Sequence, residues 1–195
     1  SCGSMISVEN LSIRFGDHIL FETVAFQLNP RERLGLVGRN GHGKTTLFRI
    51  ISGEEEPDEG FINIPKSYRI VHVRQAIDFS QETVLKEAAA GLPSHERDQI
   101  WRAEKILAGL GFSEKDMQRQ PEEFSGGYQV RLNLAKALVS EPDLLLLDEP
   151  TNYLDITSIR WVERFFLTWP RELMLITHDR SFMDSIVTHT MGIHR

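Results

Sequence analysis

The stretch Gly38-Arg39-Asn40-Gly41-His42-Gly43-Lys44-Thr45-Thr46 constrains this chain more than any other. It has the spacing G-x-x-x-x-G-K-[ST] and stands between an apolar run at 34–37 and a helix-like run at 47–51, the strand–loop–helix context in which that spacing carries meaning. Gly38, Gly41 and Gly43 let the backbone turn tightly enough for successive N–H groups to point at a phosphate chain. Lys44 brings a compact positive charge to the outer phosphates, and the Thr45 hydroxyl suits Mg2+. The dipole of the following helix adds positive potential at its N-terminus. Gly38, Asn40, Gly41, Gly43, Lys44, Thr45 and Thr46 are therefore the candidate contacts to a nucleoside triphosphate.

Such a motif needs an α/β scaffold, and 195 residues, 41% hydrophobic and 26% charged, suffice for one buried core with a small subdomain. The net charge of -6 argues against a dedicated nucleic-acid-binding surface. No run approaches the ~20 apolar residues of a membrane helix, and no signal peptide precedes the core. The chain is expected to be cytoplasmic, with no direct membrane insertion. Cys2, the single cysteine, lies ahead of Met5; residues 1–4 read as an expression scar and 5–195 as the folded domain.

Ile6, Val8, Leu11 and Ile13 set a period-two pattern for a strand with one buried face. A turn at 15–18, a strand at 19–21 and a third at 24–28 place an antiparallel β region before the P-loop. Short strands are expected at 61–64 and 69–73. The composition then turns helical: 82–90 is alanine-rich, Pro93-Ser94 offers a helix start, and Ile100, Trp101, Ile106, Leu107 and Leu110 follow helical spacing. Ser113 and Asp116 have capping-box spacing, and 131–139 reads as a further helix. The expected fold is α/β, a P-loop NTPase core with an N-terminal antiparallel β region and an α-helical subdomain inserted at about 76–140. Four leucines at 144–147 mark a strand buried on both faces and tipped by Asp148-Glu149. A helix at 156–167, a buried strand at 173–176 tipped by Thr177-His178-Asp179, a helix at 181–187 and a strand at 189–193 complete the reading.

Polar residues thus stand at three strand ends, where open α/β sheets bind ligands. Phosphoryl transfer needs positioned phosphates, a metal and an oriented water more than covalent help from the protein. Asp148 fits a Mg2+ ligand acting through water. Glu149, one residue on, can orient or deprotonate the attacking water. His178 can sense the γ-phosphate.

Phe124-Ser125-Gly126-Gly127-Tyr128 is on its own a flexible turn ahead of a helix. In order with the P-loop, the 144–149 segment and His178, it resembles the signature loop of the ATP-binding cassette (ABC) family, and the resemblance covers 5–195. It implies that ATP and Mg2+ are the cofactors, that Phe15 stacks on adenine, and that Gln75 touches the metal and its attacking water. It implies that Ser125, Gly126 and Gly127 bind the γ-phosphate of ATP held by a second ABC cassette, with Asp155 at the cassette interface.

Gly-Arg-Asn-Gly at 38–41, Thr-Asn-x-Leu-Asp at 151–155 and Thr-His-Asp-Arg at 177–180 resemble the ABC-F branch, whose members carry paired cassettes and mostly act on ribosomes. Tyr128 replaces the Gln usual in transporter cassettes. His42, Tyr153, Arg31 and Val73-Arg74 depart from the family pattern without removing a catalytic group, and 76–120 lacks the long helical hairpin of many ribosome-binding members. The expectation is an ABC-F-like ATPase cut from a two-cassette protein, paired within the full-length protein or as a homodimer. The alternatives are the ATPase subunit of an ABC transporter, which should carry a docking groove near Gln75, and a regulatory binding module that holds ATP but barely hydrolyses it.

Overall fold

The structure is a computed structural model that describes residues 6–15, 18–38, 41–74, 78–152 and 154–193, with side chains at these positions except 14, 15, 18–23, 41 and 42. Two sheets flank a helix. Strands β1 (Ile6–Phe15), β2 (His18–Leu28) and β4 (Glu59–Asn63) form an antiparallel sheet in the order β2-β1-β4. Strands β3 (Arg33–Val37), β5 (Ile70–Val73), β6 (Leu144–Asp148), β7 (Glu172–Ile176) and β8 (His189–Gly192) form a parallel sheet in the order β5-β6-β7-β3-β8.

The leucine run explains how the parallel sheet is held. Successive side chains of a strand point to opposite faces, so Leu144 and Leu146 join one buried cluster and Leu145 and Leu147 another. All four are fully buried, and each such side chain contributes about 1.5–3 kcal/mol of transfer free energy. Met174 and Ile176 of β7 follow the first pair; Leu173 and Leu175 follow the second. The first cluster is closed by α1 (Gly41–Ile51), through Leu47, Phe48, Ile50 and Ile51, and by Ile6, Val8, Leu11 and Ile13 of the antiparallel sheet. The second is closed by α5 (Ile156–Leu167) and α6 (Arg180–Ile186), through Val162, Phe166, Phe182 and Met183.

Helices α2 (Val84–Ala89), α3 (Ile100–Gly109) and α4 (Gly126–Leu138) make a third cluster around Val84, Leu107, Phe112 and Leu132. Polar contacts brace this cluster, and Arg69 ties it to the strand side. Arg102 donates from Nη1 to Glu96 at 3.0 Å and from Nη2 to the Val139 carbonyl at 2.6 Å, and Arg69 of the loop before β5 donates to the Ser140 carbonyl. Glu87, fully buried, accepts from the Ser80 and Gln81 amides and from Lys136 Nζ at 3.0 Å. Each of its oxygens therefore has a partner, as a buried carboxylate requires.

Four expectations change. The strands expected at 19–21 and 24–28 are one strand: between the pairs Leu11↔Val24 and Ile13↔Phe21 the partner strand carries an extra residue, and this bulge bends β2 without ending it. Pro93-Ser94 opens only a 3-10 turn, Ser94–Glu96. The capping box is present, with Ser113 N donating to Asp116 and Asp116 N to Ser113, yet it too opens a 3-10 turn, Asp116–Gln118. The helix expected at 131–139 begins at Gly126, because Gln129 N reaches the Ser125 carbonyl at 2.9 Å and closes the first turn over both glycines. Among the described residues no helix is long and apolar enough to cross a membrane.

Candidate functional site

Strands β6, β7 and β3 are adjacent, so the segments that follow them meet at one edge of the sheet. Gly38 leaves β3 with φ +143, and a Cβ there would stand 2.5 Å from the Ile193 carbonyl oxygen; only glycine fits. Ile193 N donates to the Val37 carbonyl at 2.8 Å and fixes the loop's starting point against the end of β8. Lys44, 3% exposed, donates from Nζ to the Gly38 carbonyl at 2.9 Å, which aims the buried ammonium back over its own loop. Gly43 and Thr46 are buried beside it. A cavity of about 190 Å³ opens here, lined by Gly38, Lys44, Thr177, His178 and Arg180 among others.

Thr45 Oγ1 donates to Asp148 Oδ2 at 3.1 Å, joining the first turn of α1 to the tip of β6. Both are hard oxygen donors. A pair of this kind fits Mg2+, which takes one or two protein oxygens and completes its shell with water and phosphate; among the described residues no cluster of three or more metal-ligating side chains competes. Glu149 turns sharply out of the strand with φ 51, a left-handed conformation costly for a residue with a side chain. Its amide donates to the Ile176 carbonyl at 2.8 Å, which holds the turn. Its carboxylate is buried: Oε2 accepts the His178 amide at 3.3 Å, while Oε1 lies 3.2 Å from His178 Nε2 without a hydrogen bond and has no other hydrogen-bonding partner among the described residues. The His178 side chain is 84% exposed. Asp179 caps α6 by accepting the Phe182 amide at 3.0 Å, which orients the backbone that carries His178.

Sequence reasoning missed His72. It faces Leu146 across β5 and β6, and Asp148 lies two residues further on the same face. Its side chain is 4% exposed, its Nδ1 is 3.3 Å from Glu54 Oε1, and its Nε2 is 3.9 Å from Asp148 Oδ2. Glu54 also binds Arg74, the residue before Gln75. Burial pulls the Glu54 carboxyl up, but bonds from Arg74, Ser52 and His72 outweigh it and hold the group below the usual range. The sequence carried one signal, the parity that sets His72 on the face of Leu146, which requires the strand register to read.

Ser125, Gly126 and Gly127 stand elsewhere. No residue of α4 is among those lining the cavity at Lys44. Ser125 has the extended N-cap conformation, yet its hydroxyl makes no capping bond, and it and Gly126 are exposed. Gly127 meets α5: a Cβ there would come within 2.2 Å of Ser158 Oγ. Ser158 also faces Asp155, and its hydroxyl holds that carboxyl below the usual range. The structure thus brings Lys44, Thr45, Asp148, Glu149 and His178 together, and pairs the Ser125–Gly127 turn with Asp155 through Ser158. Asn40, Gln75 and Tyr153 lie outside the described residues, as do the side chains of Phe15 and His42; Gly41 is placed as the first residue of α1.

With this geometry in hand, comparison with known proteins is informative. Residues 21–152 match the profile of the family described as ABC transporter. The chain is 37% identical over 219 residues to "Probable ATP-binding protein YheS" of Haemophilus influenzae, covering 97% of this chain and 34% of that protein. It is 35% identical over 227 residues to human ATP-binding cassette sub-family F member 3, covering 97% of this chain and 31% of that one. It therefore spans about a third of the length of these curated relatives. A nucleotide-free ATP-binding cassette from an ABC transporter has the same fold, with a TM-score of 0.84 at 20% identity over 97% of this chain and 87% of that one. The profile covers most of the chain, and the relatives align along nearly all of it: this is an ATP-binding cassette ATPase of the ABC transporter family.

Proposed function

We propose that this chain, read as one cassette with a helical arm at about 76–140, binds Mg-ATP and hydrolyses it when a second cassette closes over the nucleotide. The observation that carries the reading is the Glu149 carboxylate, whose buried Oε1 has no hydrogen-bond partner among the described residues and which stands at the same sheet edge as Lys44 and His178. An unpaired buried acceptor is costly unless something comes to donate to it. A water poised to attack the γ-phosphate supplies that donor, and Glu149 takes its proton. Lys44 neutralises phosphate charge, while His178, exposed and tied to Glu149, reaches the γ-phosphate. Thr45, and Asp148 through water, would hold Mg2+, which would neutralise phosphate charge. Gln75 and Phe15 keep the metal-and-water and adenine roles that the family resemblance gives them.

Ser125 and Gly126 are exposed at the start of a helix, with Gly127 beside them, and so suit phosphate brought by another cassette. Pairing turns binding into closure and hydrolysis into reopening, which moves a partner. The sub-family F relatives, Tyr128 and the 177–180 sequence favour an ABC-F-like protein acting on a soluble partner, the ribosome being the first candidate. One observation favours a second reading, the ATPase subunit of a transporter: a cleft of about 410 Å³ runs between β5 and α4, lined by His72, Arg74, Asp78, Asn133 and Lys136 among others. Steady-state ATPase measured against protein concentration tests pairing. The rate is expected to rise with the square of concentration while cassettes are mostly single, and a strictly proportional rate would sink the shared site.

A further inference from the structure

The Ser125–Gly127 turn is not oriented by its own side chains. Its serine hydroxyl makes no capping bond and Gly126 is exposed, so the direction of the turn is set by what α4 packs against. On α4, Gly127 and Arg131 lie four residues apart and share a face; on α5, Ser158 and Trp161 lie three apart and do the same. Gly127 meets Ser158, where a Cβ would stand 2.2 Å from the hydroxyl oxygen. One turn further on, the Arg131 guanidinium carbon lies 4.1 Å from the centroid of the Trp161 ring and 4.5 Å from that of Tyr128. Two aromatic faces, one from α4 itself and one from α5, therefore attract the same cation. Arg131 Nη1 also donates to the Leu110 carbonyl at 3.1 Å. The chain leaves room for it: Gly111 has φ +97, and a Cβ there would come within 2.9 Å of Nη1. Tyr128 in turn packs edge-on against Phe112 at 5.4 Å and 83°.

We infer that Arg131 is a positioning residue for the shared site: stacked between Tyr128 and Trp161, it locks the first turns of α4 to α5, so that the Ser125–Gly127 turn and Asp155 meet a second cassette as one surface. This rests on the reading of that turn as a contact to ATP held by the other cassette. The planar guanidinium suits the task because its face stacks on a ring while its edge donates to a carbonyl. Ser158 bonds the Asp155 carboxyl and meets Gly127, and Arg131 closes the same joint one turn deeper. Among the described residues that line the cavity at Lys44, none belongs to this joint. The effect of Arg131 therefore falls on the partner's nucleotide and not on its own.

The test mixes variants of the chain, because a residue that serves a partner's nucleotide acts in trans. Arg131→Leu keeps an apolar stem and removes the stacked plate. It is expected to bind a fluorescent ATP analogue as the original chain does, and to turn ATP over about 10-fold more slowly, within the cost that a small misplacement at a reacting site can bring. Lys44→Ala has an intact turn and an impaired nucleotide site. An equimolar mixture of the two builds a whole site in each mixed pair, and its turnover is expected to stand several-fold above the mean of the two alone. Ser125→Arg mixed with Lys44→Ala is the control, since it blocks the turn directly. Original turnover in Arg131→Leu, analogue binding weakened by it, or a mixture that gains nothing while the control mixture gains, overturns the role of Arg131. If neither mixture gains, the shared site falls and the inference with it. Should Arg131→Leu not fold, Trp161→Leu takes its place in the mixture with the same outcomes, since it removes the α5 ring and leaves the bond to Leu110.

Discussion

Two helices of this protein begin with glycine-rich turns, and they differ in what the chain places opposite them. At α1 the surroundings are internal: Lys44 is buried on the Gly38 carbonyl, Thr45 is bonded to Asp148, and Glu149 and His178 close the far side. At α4 the Ser125 hydroxyl has no capping role and Gly126 is exposed, while Ser158 closely approaches Gly127. Both ends offer amide donors and a dipole to an anion. A helix N-terminus alone therefore does not make a catalytic site. On the proposed reading, charge, metal ligands and a base at α1 give the chemistry, and α4 provides a surface that adds to it.

The largest test of that difference is Glu149→Gln. Removing the base is expected to lower kcat about 1,000-fold with ATP affinity nearly unchanged, measured by turnover and by binding of a fluorescent ATP analogue. Turnover near the original level would move the base elsewhere. Lys44→Ala should do the reverse in kind, weakening binding ~10- to 100-fold, as expected for losing a charge-assisted bond. The same titration reads it, and undiminished affinity would break the contrast between the two helices.

Gly127→Ala sharpens the comparison from the α4 side. Alanine is the better helix former by about 1 kcal/mol, so an open first turn would be stabilised. Here the new methyl meets Ser158 Oγ at 2.2 Å, and overpacking of this kind costs about 1–3 kcal/mol. Denaturant unfolding should show a net loss, and adding Ser158→Gly should recover it. Recovery of stability without recovery of paired ATPase would assign Gly127 a role beyond packing.

The sequence made the sheet and the α1 site legible because both depend on local pattern. The leucines of β6 announce a strand buried on two faces, and G-x-x-x-x-G-K-T fixes a turn, a charge and a hydroxyl within nine residues. The helix starts expected at 94 and 131 differ from the structure because capping residues and glycines act alike before 3-10 turns and α-helices; tertiary packing chooses between them. The Gly127–Ser158 contact and the Glu54–His72–Asp148 line were illegible. They join residues 31, 18 and 76 positions apart, at distances set by how helices and strands pack rather than by any motif.

The smallest expected effect compares the lowered carboxyls of the two regions, Glu54 behind α1 and Asp155 beside α4. A group whose pKa is lower in the folded chain stabilises it above its unfolded value and loses that contribution as pH falls through the folded one. Glu54→Gln should therefore reduce stability near neutral pH, by about 0.2–1 kcal/mol as for an exposed ion pair, and the difference from the original chain should vanish on acidification below the ordinary carboxylate range. Asp155→Asn should show the same sign. Its support comes from the Ser158 hydroxyl and backbone rather than from a cation, so added salt should shrink the Glu54 effect and leave that of Asp155 nearly unchanged. Melting curves across pH at low and high salt measure both. Equal salt sensitivity would mean that Arg74 contributes no charge to the α1 side, and the electrostatic contrast between the two helix ends would be lost.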